Sequence, residues 1–308
     1  MQYGVHLPHL GRNVGRDSLT QFAQAIEEAG FASGWVSDHV CWPADIQSDY
    51  PYTDDGSFAP ASDMGWLDPI GTQLFVAGVT ERIQLGFTVL ILPYRQPVTT
   101  AKQLATLDVL SNGRLILGAG VGWMREEAEI LGMPWDHRGA RSDEQLALFQ
   151  QLFTQERPSY SGEYYQLPEV GFEPKPVQTP VPIWIGGSSP AAFRRAGRFG
   201  SGFHAAFQSR SEVAEEWQQV KQQAELAGRD PSQLVLSLRV YLDPAGAMEA
   251  EKSLSGSKQQ IQDTVGELAE IGVQHLVLDP VARGGVSGRL DAVLNFAAEI
   301  MAEASSPK

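Results

Sequence analysis

The sequence predicts an α/β fold, a (β/α)8 barrel forming one domain over residues 1–308, and three observations predict it. Short apolar runs alternate with helical periodicities through eight strand-helix units, the number that such a barrel requires. The third run, Ile83 to Leu92, is long and largely apolar, as a parallel strand covered on both faces must be. No Gly-x-Gly-x-x-Gly follows the first strand, where Leu7-Pro8-His9-Leu10-Gly11 stands instead. That disfavours the competing open, doubly wound sheet.

Taken in order, Tyr3 to Leu7 is the first strand, ended by Pro8, which has no N–H for a ladder. Asp17 or Ser18 is the expected cap of the next helix, where Phe22, Ile26 and Ala29 recur before Gly30 closes it. Gly34 to Ser37 is the second strand and stops at Asp38, His39 and, three residues on, Trp42. Residues 43 to 66 are rich in Pro, Asp, Ser and Gly without a usable period and read as an insertion at the barrel mouth. Asp68 before Pro69 starts a helix that runs to about Gly78. After the third strand, Pro97 opens a helix through Leu110, and Ser111-Asn112-Gly113 turns the chain into a fourth strand, Arg114 to Ala119. Gly118, Gly120 and Gly122 stand where that strand ends; alternate glycines either admit a ligand close to the backbone or serve tight packing.

Helices follow at about Trp123 to Leu131 and Gly139 to Phe153. Arg157 to Pro180, with five prolines, reads as a second excursion, and both excursions are expected to wall the pocket. Val181 to Ile185 and Gly202 to Ala206 are the fifth and sixth strands, separated by a helix from Pro190 to Phe199. Ser211 to Leu226 is a helix with Val213, Trp217, Val220 and Ala224 inward, and Leu234 to Leu242 is the seventh strand. Ile261, Val265, Leu268 and Ile271 form one helical stripe ending at Gly272. His275 to Leu278 is the eighth strand, and Leu290 to Met301 the last helix.

A formal charge of −14 disfavours nucleic acid and anionic membrane surfaces as partners, and a small-molecule substrate is expected. The single cysteine, Cys41, excludes an internal disulfide or a thiolate metal cluster and reads as an ordinary small side chain near a pocket. The chain enters a strand at once from Met1, without a basic-then-apolar leader, and no run reaches the ~20 apolar residues of a membrane span. A cytoplasmic location is the expectation.

Because strand carboxyl ends face the active site of such a barrel, Asp38, His39 and Trp42 are placed at its mouth. Ile185-Gly186-Gly187-Ser188-Ser189-Pro190 ends a strand in two glycines and enters a helix through serine and proline. That supplies backbone N–H groups, hydroxyls and a positive helix end to an anion such as phosphate, although a simple capped turn explains it equally well. Arg194 and Arg195, one turn on, are expected on a solvated face. His39 suits acid-base work, since its ordinary pKa lies near neutrality, whereas an isolated strand-end histidine more often bonds only to backbone. His9, Trp42, Trp66 and Trp123 are candidates for the substrate pocket, with Trp42 and Trp123 placed to reach a cofactor ring.

These segments together resemble the luciferase-like superfamily of flavin- or deazaflavin-dependent oxidoreductases, in particular its coenzyme F420-dependent branch. The resemblance runs through Gly4-Val5-His6-Leu7-Pro8, Glu28-Ala29-Gly30-Phe31, Trp35-Val36-Ser37-Asp38-His39 and Thr80-Glu81-Arg82-Ile83-Gln84-Leu85-Gly86. It continues through Leu92-Pro93-Tyr94-Arg95-Gln96-Pro97, then residues 105–114, Gly118-Ala119-Gly120-Val121-Gly122-Trp123 and Ile185-Gly186-Gly187. It implies a luciferase-like barrel, hydride transfer to or from F420, and a homodimer. It also implies that Asp38 and His39 lie against the deazaflavin, with Trp42 beside the substrate. Thr88 and Val89 match a bulge whose non-proline cis peptide supports the ring. Ala119, Gly120, Val121 and Gly122 match the loop beside it, and Gly186, Gly187 and Ser188 the phosphate cradle.

Sugar-phosphate dehydrogenases of that branch carry glutamates at the first and fourth strand ends, where this chain has Pro8-His9 and Val121-Gly122. Sugar phosphate is therefore disfavoured, and Glu126 and Glu127 are expected on a solvated helix face. The alternative cofactor is FMN, serving a reduced-flavin monooxygenase. A metal-dependent hydrolase using His9, His39, His204 and Asp279 is a lesser reading, because no His-x-His stands on the first strand and no metal is expected. A cofactor-binding barrel without turnover is the third.

Overall fold

In this computed structural model, which describes residues 1–53, 55–58 and 64–302, eight parallel strands close into a ring. They are β1 (Gln2–His6), β2 (Ser33–Val36), β3 (Gln84–Phe87), β4 (Leu115–Gly120), β5 (Ile183–Gly186), β6 (Gly202–Ala206), β7 (Val235–Leu242) and β8 (His275–Pro280). Each pairs with the next in chain order. β8 returns to β1 with Val277 opposite Gly4, so the expected (β/α)8 barrel is the fold observed. Around it lie α1 (Arg16–Glu28), α2 (Pro69–Ala77), α3 (Pro97–Leu110), α4 (Arg125–Ile130), α5 (Arg138–Thr154), α6 (Pro190–Phe199), α7 (Arg210–Leu226), α8 (Lys258–Ile271) and α9 (Gly285–Phe296). No helix of the described residues is long and apolar enough to cross a membrane.

Several boundaries differ from expectation for local reasons. Gly15, not Asp17 or Ser18, is the N-cap of α1; Ser18 instead reaches back to accept from the Gly15 amide at 3.2 Å. The third apolar run is broken in two, because the Thr88–Val89 peptide is cis and pairing resumes only at Leu90–Ile91, against Ala119 and Gly120. The last helix begins at Gly285, five residues before Leu290, and runs on as a π turn over Ala297–Met301. The helix starts read from Asp68-Pro69 and Ser189-Pro190 match: Asp68 accepts from the Gly71 amide at 2.7 Å and Ser189 from Ala192 at 3.2 Å.

The lower half of the barrel is filled by Trp35 and Trp184, stacked with centroids 5.4 Å apart, and by His204, which lies 4.9 Å from the Trp35 ring and 7° from parallel. Neighbouring strands make room by carrying no side chain there. A Cβ on Gly4, Gly86 or Gly202 would come within 2.3, 2.4 or 2.7 Å of Ser33, Trp35 or Trp184. Above this floor, a cavity opens toward the carboxyl ends of the strands.

The two excursions have different fates. The first, around 43–66, contributes Tyr50, Tyr52, Phe58 and Trp66 to the barrel mouth; residues 54 and 59–63 of it lie outside the described chain. The second, expected to wall the pocket, does not. It forms a small hairpin, Tyr160–Ser161 with Gln166–Leu167, whose amides at 163, 164 and 165 converge on the Glu144 carboxylate of α5. Lys175 adds bonds to the carbonyls of Leu152 and Gln155, so the segment is fastened along α5 and supplies no residue to the cavity wall.

Candidate active site

A cavity of ≈ 710 Å³ opens where the strands end, and its wall takes residues from six of them and from the segments that directly follow β2 and β3. β2 delivers Asp38 and His39 on the turn that follows it. His39 Nδ1 lies 2.6 Å from Oε2 of Glu127 on α4. A carboxylate only accepts, so Nδ1 carries the proton and donates; Nε2 is left bare, with no partner among the described residues. Glu127 Oε1 accepts the amides of Val40 at 2.6 Å and Cys41 at 3.2 Å.

The expectation of a solvated Glu127 is thus overturned: it is fully buried. The turn after β2 leaves amides that need an acceptor, and the short α4 is rotated to supply one. Glu126 is likewise engaged, accepting from the amides of Gln47 and Ser48 and from the Ser48 hydroxyl. Burial and the adjoining Glu127 carboxylate push the Tyr94 hydroxyl pKa upward.

Asp38 lines the cavity, yet its carboxylate is committed. It accepts the Ile91 amide at 2.8 Å and holds the Arg95 guanidinium in a two-point pair. Burial raises its pKa while Arg95 and the Ile91 amide pull it back. Asp38 thereby anchors the strand that resumes after Thr88–Val89. Thr88 itself bonds His204 Nε2 at 2.8 Å, and His204 Nδ1 meets Ser237 at 2.9 Å. Val89 is seated by missing side chains, because a Cβ on Gly120 or Gly186 would stand 2.3 or 2.7 Å from its methyl groups. Thr88, Val89, Gly120, Val121 and Gly122 line the cavity; Ala119 does not, being buried under the resumed strand that pairs with it.

The aromatic candidates divide. Trp66 and Trp123 line the cavity, and so does Phe58. Trp42 lies against His39 with the rings tilted by 34° and centroids 4.6 Å apart, and is not part of the wall. His9 is also displaced from the pocket: it is fully buried, bonded to the Leu7 carbonyl and to Ser37 backbone, and burial holds its pKa down to about 4. His6, expected inside the strand, lines the cavity in its place.

Gly186, Gly187 and Ser188 reach the wall, Gly187 with φ +109°. Arg194 is solvent-exposed as expected. Arg195 is not; it is 5% exposed and paired with Asp143 at 2.5 Å, away from the cavity.

Several wall residues were missed. Arg239 pairs with Asp279 at 2.5 Å and bonds the Thr88 carbonyl at 3.3 Å. Its signal was legible: Ser237, Arg239 and Tyr241 alternate along β7 and face inward. Tyr50, Tyr52 and Arg289 had no such signal. Arg289 reaches the wall from α9 and has no hydrogen bond or ion pair among the described residues. No group of three or more metal-ligating side chains converges among the described residues; His204, His9, His39 and Asp279 each serve the partners given above.

Among known proteins, "Uncharacterized protein Rv0940c" of Mycobacterium tuberculosis is 35% identical over 182 residues, 59% of this chain and 63% of that one. An F420-dependent glucose-6-phosphate dehydrogenase of Nakamurella multipartita is 38% identical over 193 residues, 61% of this chain and 52% of the relative. The matched segment thus spans less than two thirds of these relatives. A solved F420-dependent secondary alcohol dehydrogenase, in complex with an F420-acetone adduct, superposes with a TM-score of 0.79 at 17% identity, covering 98% of both chains. The monooxygenase RslO1 from Streptomyces bottropensis gives 0.77 at 19% identity, covering 99% of this chain and 100% of that one. At those identities the likeness is one of fold. A family model for luciferase-like monooxygenases matches residues 3–250, and the chain belongs to that family.

Proposed function

We propose that the protein is an oxidoreductase in which coenzyme F420 and a small organic substrate, a carbonyl compound, alcohol or activated alkene, meet in the cavity and exchange a hydride. The observation that supports this is that His39, whose Nε2 has no partner among the described residues, and the Gly186-Gly187-Ser188 turn line one cavity. The residues present fit the cofactor. The cavity lies in the size range of cofactor pockets, and one wall is backbone and Val89, flattened by the glycines at 120 and 186. The start of α6 offers a helix end to a phosphate. Relatives named as F420-dependent dehydrogenases point the same way.

When bound, the deazaflavin supplies a ring carbon that takes or gives the hydride. His39 Nε2 accepts the proton of a substrate hydroxyl, or a protonated His39 returns one to a carbonyl oxygen, and Glu127 stabilises the imidazolium that forms. Phe58, Trp66 and Trp123 keep water from that nitrogen. Arg289, a guanidinium without a partner among the described residues, receives a polar or anionic end of the substrate.

The alternative is FMN in the same slot, serving a monooxygenation. Anaerobic titration with F420 and with FMN, followed by absorbance and fluorescence, tests both. Micromolar F420 binding that exceeds FMN binding is the expected result; equal binding of both only in the millimolar range overturns the proposal.

A further inference from the structure

Behind the Gly186-Gly187-Ser188 turn lies a polar cluster that takes no part in the acid-base chemistry. The Ser188 hydroxyl oxygen accepts from Gln208 Nε2 at 2.7 Å. Gln208 is 8% exposed, and its own Oε1 is buried without a partner among the described residues. Glu216, on the second turn of α7, faces Gln208 and Ser188, whose polar groups act to lower its pKa, and its Oε2 is buried with no hydrogen-bond partner among the described residues. A cradle for a doubly charged anion is ordinarily built from cations. Here the neighbouring buried cation, Arg195, is spent on Asp143, and the side chain behind the turn is an acid.

We infer that Glu216 makes this cradle selective for a phosphodiester, with its single negative charge, over a phosphomonoester, with nearly two. The inference rests on the reading of the turn as the cofactor's phosphate site. A serine hydroxyl has one proton, and the Glu216 carboxylate beside Ser188 competes with the ligand for it. The other donors at the turn are backbone N–H groups, the Ser189 hydroxyl and the end of α6, the last equivalent to about half a positive charge. That matches a monoanion. A phosphomonoester carries about −1.5 to −2 at neutral pH, and its additional charge faces Glu216 across Ser188. Burial already raises the Glu216 pKa, Glu212 acts in the same direction, and Tyr52 feels the Glu216 charge from the mouth loop. The second charge either meets the carboxylate directly or drives a proton onto it, and both disfavour the dianion. The consequence is a preference for F420, whose phosphate is a diester, over FMN, whose phosphate is a monoester.

The test compares wild type with Glu216→Gln, titrating each with F420, FMN and riboflavin and reading dissociation constants by fluorescence at a pH above the second phosphate pKa. Riboflavin has no phosphate and reports on the ring slot alone. Glu216→Gln should tighten FMN by about tenfold, the scale of one unfavourable charge contact in a half-buried site, with F420 and riboflavin changing less than about threefold. If FMN and F420 tighten equally, or neither changes while riboflavin still binds, the inference fails although the cofactor reading stands. If wild type binds none of the three, the cofactor reading fails and carries this one with it. Should Glu216→Gln fail to fold, Glu216→Ala removes the same charge and is judged by the same outcomes.

Discussion

His39 and Glu127, 88 positions apart, meet at 2.6 Å inside the barrel mouth. The contact sets the imidazole tautomer, leaves Nε2 of a cavity-lining histidine without a partner among the described residues, and places a buried carboxyl group beside the ring.

The first prediction concerns that pair. His39→Ala should lower kcat by roughly 10²-fold or more, the range of positioned acid-base assistance. Glu127→Gln should lower it by a similar order, and the double variant little further, because the two act as one unit. Steady-state kinetics of the four proteins, with cofactor affinity measured beside them, checks this. Fully additive losses, or wild-type turnover in His39→Ala, would remove the pair from the mechanism.

Arg289 yields a second expectation. Since its guanidinium has no hydrogen bond or ion pair among the described residues, Arg289→Met should leave the Tm nearly unchanged. It should raise KM for a substrate with an anionic or strongly polar end by about 10- to 100-fold, the loss of a charge-assisted hydrogen bond. A KM unaltered across charged and neutral substrates would exclude the role.

Packing of the barrel floor is open to a stability measurement. A methyl group at Gly86 would stand 2.4 Å from the Trp35 ring, so Gly86→Ala should destabilise by about 1–3 kcal/mol, as overpacking does. Chemical denaturation gives the value, and an unchanged midpoint would contradict the geometry.

Buried histidines set a pH dependence. Burial holds the pKa of His9 at about 4 and of His275 at about 4, and burial with Arg239 holds His204 at about 3. In the unfolded chain these groups titrate near 6.5. Their neutral forms therefore stabilise the fold fully above that value. Below it the unfolded state binds protons that the native state refuses, and stability falls until the folded pKa values are reached. The slope is up to about 1.4 kcal/mol per pH unit for each histidine. The Tm should drop between pH 7 and pH 5, and His204→Gln should show a shallower drop. A flat profile over that interval would count against neutral burial.

Much of the fold was legible because the signals are local. Period-two and helical patterns need only neighbouring residues, and caps such as Asp68-Pro69 are written in two adjacent positions. The break at Thr88–Val89, by contrast, was reached only through family resemblance, since nothing in Gly86-Phe87-Thr88-Val89-Leu90 interrupts an apolar strand. For the site, the Asp-His turn and the twin glycines were legible as strand ends. His9 and Trp42 were placed one layer too far inward toward the cavity, because a position near a strand end does not say which way a loop side chain turns.

By itself the sequence determined the alternating strands and helices, their order, and the chemistry carried to each strand end, all properties of short windows. Only the closed barrel decided that Glu127 is the partner of His39, that His6 rather than His9 faces the cavity, and that Arg239 is paired with Asp279 while Arg289 meets no partner among the described residues. Such choices depend on how helices such as α4 and α9 rotate when packed against strands tens of residues away. That rotation is settled by where buried amides and charges find partners, which no local period encodes.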